Sequence, residues 1–182
     1  MAIKNDMEFL VRTEVRRRLE RSGGNDEVCW CALCEFDILA LALNQLPTRY
    51  CHEKNFGCAA SQGFGNEVRN AVARAIQKVS RRPKHRPGRP LSGNEDIRMV
   101  NYAQTIGGAL VGTVLSPESS ACACDQCQAD TLAFALNRYP PKYGVFHGGR
   151  ESYQENYADF IRHEIGQVLV QAAAVVRERP HH

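Results

Sequence analysis

The chain has 182 residues, with a formal net charge of +3 and eight cysteines, a length that suits one domain or two small ones. Its longest apolar run, Ile106 to Leu115, is far short of a bilayer span, and the acids and arginines of MAIKNDMEFLVRTEVRRRLE interrupt what a signal peptide would need as an apolar core. The expectation is a soluble, cytoplasmic protein with no membrane partner, whose cysteines serve as metal ligands or redox thiols; a secreted disulfide scaffold is the less favoured alternative. Basic residues are in excess through residue 93 and acidic ones after it, an asymmetry that either draws an anionic ligand or holds two halves together.

In chain order, Asn5 with Glu8 three positions on offers a helix start. Met7, Val11, Val15 and Leu19 then recur every four residues, which predicts a helix from about Asp6 to Arg21. Ser22 to Asn25 stop it, and Cys29, Cys31 and Cys34 follow. Glu35 to Asn44 is apolar nearly all the way round, the mark of a centrally buried helix, and Pro47 ends it. The glycine-rich CHEKNFGCAASQGFG reads as loop. Val68, Val72, Ala75, Ile76 and Val79 form the stripe of a third helix, about Asn66 to Arg81. The basic, Pro/Gly-rich KHRPGRPLSG reads as a linker.

Beyond the linker, Asn94 can cap a helix reaching Leu115, with Ile97, Val100, Ala103, Gly107, Leu110 and Val114 on one face. Its Gly107-Gly108 pair is expected to admit close contact with a neighbouring helix. A second cysteine cluster follows, and then a final helix from about Glu155 to Arg179 with Ile161, Ile165, Val168, Ala172 and Val175 inward. No segment reads as a strand.

The two cysteine regions are one motif written twice. Cys29 to Tyr50 and Cys122 to Tyr143 superpose at a constant offset of 93 and share C-x-C-x2-C-x2-D-x-L-A-x-A-L-N-x2-P-x2-Y. The chain is therefore expected to be an all-α tandem of two pseudo-symmetric units, residues 1–83 and 94–182, joined by the linker 84–93. Each unit orders as helix, cysteine knot with buried helix, loop, helix. Domains of roughly 80 to 90 residues bury only about 60% of their unfolded surface, so a bound ion is a plausible staple.

Zinc takes about four soft or borderline ligands in a tetrahedron. The trios Cys29, Cys31, Cys34 and Cys122, Cys124, Cys127 can each supply three, with the third cysteine at a helix start where the dipole favours thiolate. The alternative is three small buried residues. For the fourth ligand of the first unit, a helix from Cys34 to Asn44 carries the chain about 15 Å away; Cys51 could just return if fully extended, so Cys58 is preferred over Cys51, with His52 behind both. The second unit has no matching cysteine, leaving His147, His163, His181, His182 or Asp130. Asp37 and Asp130 read first as carboxylates facing the helix dipole. The halves could also complete each other's sites, or three protein ligands could leave one position to water. The expected cofactor is structural zinc, one or two ions per chain.

The repeated motif resembles the core of the late competence development proteins of the ComFB family, in both halves. The resemblance implies a small, largely helical, zinc-carrying, non-enzymatic protein that dimerises, here as a pseudo-dimer within one chain or as a homodimer. It also implies a regulatory role as a receptor for cyclic dinucleotides such as cyclic di-GMP. Arg49-Tyr50 and Lys142-Tyr143, at matching positions, could stack on bases, but no nucleotide site is assigned. Two other readings stand beside it. Arg86-Pro87-Gly88-Arg89-Pro90 has the composition of a minor-groove arm for DNA, and the thiol clusters suit a zinc-thiol redox switch. No triad, phosphate loop or carboxylate pair is evident, so no enzymatic activity and no catalytic residue is expected.

Overall fold

The computed structural model describes residues 3–22, 29–53, 63–85, 96–115, 122–147 and 155–179. The order is β1 (Ile3–Asn5), α1 (Asp6–Ser22), α2 (Ala32–Leu43), β2 (Tyr50–His52), α3 (Gly65–Arg81), then β3 (Ile97–Asn101), α4 (Tyr102–Val114), α5 (Asp125–Leu136), β4 (Tyr143–His147) and α6 (Glu155–Glu178). The fold is mostly helical and the second five elements repeat the first five.

Among the described residues four short strands correct the strand-free reading. β1 pairs antiparallel with β2, Asn5 opposite Tyr50, and β3 pairs antiparallel with β4, Asn101 opposite Tyr143. Ile97 and Val100, placed by their spacing on a helix, belong to β3, and α4 starts only after Asn101, whose side chain accepts from the Gln104 N–H. A five-residue segment satisfies either period, so its pairing with β4 decides the matter. Asn94, the expected cap, lies outside the described residues.

The helices follow their apolar stripes. In α1, Met7, Val11 and Val15 are buried while Leu19 is exposed. The nearly all-apolar α2 is buried on most of its surface and packs against both α1 and α3. In α6, Ile161, Ile165 and Ala172 are buried as expected, whereas Val175 is exposed and Leu169 takes an inward place.

Each core borrows from the other half. Tyr143 and Val145 of β4 are buried with α1, α2 and α3, and Tyr50 of β2 is buried with α4, α5 and α6. The repeated asparagine of the motif fastens the exchange. Asn44, at the C-cap of α2, donates to the Tyr143 carbonyl at 2.9 Å and accepts from the Tyr143 N–H at 2.8 Å. Asn137, at the C-cap of α5, brackets Tyr50 in the same way at 2.9 and 2.6 Å. One side chain thus satisfies both backbone groups of a buried residue in the opposite half.

Gly107 is the close-contact glycine the sequence suggests. A Cβ there would stand 3.1 Å from a Leu132 methyl and 3.4 Å from Ile165, whereas one on Gly108 meets Leu132 only at 3.9 Å. Gly107→Leu is expected to cost about 1–3 kcal/mol by overpacking, and Gly108→Ala to add about 0.5–1 kcal/mol of helix propensity. Urea denaturation of the two variants checks the contrast.

Candidate metal centres

The first cysteine trio is gathered by the start of α2. Cys31 is its N-cap, with extended backbone at φ −68° and ψ 160°, Cys34 falls in the first turn, and Cys29 precedes them. The fourth member is His85. Its Nε2 lies 3.1 Å from the Cys34 Sγ, and ligand atoms of Cys29, Cys31, Cys34 and His85 all lie within 4.8 Å of one another. α3 delivers the histidine: the helix ends at Arg81, and four residues later the chain has turned back over the knot. Lys84, next to His85, pairs with the buried Asp37 carboxylate at 2.6 Å and pins that turn to α2.

The second trio repeats the geometry at the start of α5, with Cys124 as N-cap and Cys127 in the first turn. The three sulfur atoms are again within 4.8 Å of one another, and among the described residues no fourth ligand joins them. Cys122 and Cys124 are exposed and Cys127 is buried.

These environments set the thiol chemistry. Burial, aided by the neighbouring Cys31 and Cys29, raises the Cys34 pKa well above the ordinary thiol value. Burial likewise pushes Cys127 up to about 12. Cys124 is lowered instead, chiefly because the Cys127 backbone N–H points at its sulfur. A trio of sulfurs that disfavour shared negative charge is the arrangement a cation relieves.

Other candidate residues lie elsewhere. Cys51 is on β2, its Sγ 3.5 Å from the Asp6 carboxylate, and is not in the cluster; β2 pairs with β1, Cys51 opposite Lys4. Cys58, His181 and His182 lie outside the described residues. His147 is on β4 opposite Ile97, and His163 contacts Gln167 on α6. His52 meets Asp130 at 2.5 Å and Gln126 at 3.1 Å, joining β2 to α5. Asp37 and Asp130 are thereby engaged with Lys84 and His52, and neither belongs to a ligand group.

His85 was missed because the Pro/Gly composition around it reads as linker. A signal for it exists: Arg82-Pro83-Lys84-His85 after α3 is echoed by Arg179-Pro180-His181-His182 after α6. The two tetrapeptides share Arg-Pro-x-His.

The profile of the family described as Late competence development protein ComFB matches residues 4–83 and again residues 100–180. The chain belongs to the ComFB family. It carries two ComFB copies, and both matched stretches contain a complete cysteine trio. No curated protein and no solved structure matches it. Membership points to a competence-related regulatory protein, and the thiol groups of this tandem ComFB chain can hold metal. Among its described residues no helix is long and apolar enough to cross a membrane.

Proposed function

We propose that this chain is a non-enzymatic regulatory protein, stapled by structural zinc and responsive to a cyclic dinucleotide. Three thiols and an imidazole form a Cys3His donor set, a common structural zinc site. A tetrahedron of 2.3 Å zinc–sulfur bonds needs sulfurs about 3.8 Å apart, a separation that falls inside the 4.8 Å within which all the ligand atoms lie. In the second half the sequence His181-His182 after α6 stands where Lys84-His85 stands after α3, which makes these two histidines the sequence candidates for a fourth ligand.

The observation that supports a nucleotide is a cleft of about 800 Å3 at the meeting of the halves, within the range of small-molecule sites. Arg12 and Arg98 line it, and the Arg98 guanidinium lies 4.6 Å over the Phe146 ring. Such a stack presents a flat cation to a base while its edge donates to phosphate. Glu8, Asn101 and Gln104 stand on the same walls and offer hydrogen-bonding partners for base edges. A halved chain would lack the complete wall, because Glu8 and Arg12 come from α1 whereas the others come from the second half.

Native mass spectrometry with and without cyclic di-GMP reports metal count, chain count and nucleotide together. The expected result is two zinc ions, one chain and one bound nucleotide. Arg98→Ala is expected to weaken binding about 10- to 100-fold, the value of a charge-assisted hydrogen bond. A protein that carries metal but leaves cyclic di-GMP free at millimolar concentration overturns the ligand assignment, and one that carries no metal overturns the staple.

A further inference from the structure

The two thiol clusters share one motif but differ in their access to solvent, and the difference starts in sequence. Between its first two cysteines the first copy has Trp30, which packs against the first core, whereas the second has the exposed Ala123. Cys29, Cys31 and His85 are only partly exposed, and the ion pair of Lys84 with Asp37 holds the covering turn in place. In the second copy Cys122 and Cys124 are exposed while Cys127 is 2% exposed. That leaves a reachable thiol at the N-cap of α5 and, one helical turn inward, a protected one whose sulfur is within 4.8 Å.

We propose that Cys124 and Cys127 form a hydroperoxide-sensitive modification site, while the first cluster stays reduced. Oxidation susceptibility follows exposure, so the oxidant meets Cys124 before Cys127. The Cys124 thiolate attacks one peroxide oxygen, the O–O bond breaks, and the sulfur leaves as sulfenate with water or an alcohol as the other product. The Cys127 thiol then attacks the sulfenate sulfur and gives its proton to the departing oxygen, forming the S–S bond and releasing hydroxide. The two sulfurs lose two electrons in all and one peroxide gains them. A metal ion held by these sulfurs is released to solvent, and a dithiol reductant reverses the bridge.

The site gives the two copies different tasks, the first as a permanent staple and the second as a reporter of oxidant. It does not depend on the nucleotide reading, since a chain that ignores cyclic di-GMP can still be oxidised.

The test treats the full metal-loaded chain with sub-millimolar hydrogen peroxide, then quenches, alkylates and maps thiols by mass spectrometry over time, with metal release followed by a chromogenic chelator. A Cys124–Cys127 bridge is expected to form at least about tenfold faster than any oxidation of Cys29, Cys31 or Cys34. Loss of metal should stop at half of the initial content. In Cys124→Ser the bridge should vanish with the first trio unchanged, and the wild-type time course alone remains decisive if that variant fails to fold. Equal rates in the two trios, faster oxidation of the first, or a dominant product lacking the Cys124–Cys127 bond overturns the proposal.

Discussion

Removing metal from the first centre with a strong chelator is expected to lower the melting temperature by more than 10 °C and to loosen α2 before any other helix. α2 is the element around which the first core is built: Leu33, Ile38, Leu39, Ala42 and Leu43 are all buried, and both α1 and α3 rest on it. The knot fixes its N-terminus and, through His85, ties that end to the last turn of α3. Structural zinc sites contribute on the order of 10 kcal/mol in binding, against a total stability of about 5–15 kcal/mol for a domain. Even a fraction of that free energy is a large loss. His85→Ala should reproduce part of the effect and His85→Cys should restore it, because a thiolate satisfies the same position. Circular-dichroism melts with and without chelator decide the matter, and an unchanged midpoint would exclude a structural metal.

Proton competition gives the same experiment a sign in pH. With its pKa at about 12 in the metal-free fold, Cys127 keeps its proton at neutral pH, so the metal must displace it and apparent affinity falls as acid is added. For the metal-free chain the linkage runs the other way. The unfolded thiol titrates near 9.0, below the folded value. Between these two values the folded state binds more protons, so metal-free stability declines as pH rises through that window.

What could be read from residues alone followed from periodicity. The stripes of α1, α3 and α6 repeat over four or more turns, long enough for the helical period to assert itself, and the cysteine trios stand at fixed spacing within a duplicated motif. The strands lacked that advantage. β1 and β2 have three residues each, and their partners are more than forty positions apart in sequence, so neither alternation nor a hairpin turn announces them. His85 was hidden for a related reason. Its role depends on where the end of α3 lands relative to the knot, a tertiary fact, whereas the prolines and glycines beside it are a local one. The same holds for Asn44 and Tyr50, which a single copy presents as a helix end and a core aromatic. Only the second copy in space shows what the asparagine holds.

Tyr143→Ala is expected to damage the half of the protein in which Tyr143 does not lie. The side chain is 4% exposed and packs into the core of α1, α2 and α3, so truncation should cost about 3–5 kcal/mol. Hydrogen exchange locates the loss: amides of α2 should lose protection at least as much as those of α5. If α2 stayed protected while only α4 to α6 opened, the exchanged core would be wrong. The hydroxyl can be tested separately. It accepts from the Asn5 amide at 2.8 Å and donates to the Glu8 carboxylate at 2.7 Å. Burial, with the charge of Glu8 beside it, raises its pKa far out of reach, so it remains a donor at every accessible pH. Tyr143→Phe should therefore cost about 1–3 kcal/mol by leaving a carboxylate without its donor. The equivalent hydroxyl of Tyr50 faces the neutral amides of Asn101 and Gln104, and an amide tolerates the loss better than a charge does. Tyr50→Phe should accordingly be the milder of the pair, a difference between two copies of one motif that arises from Glu8 standing where the second copy has Gln104.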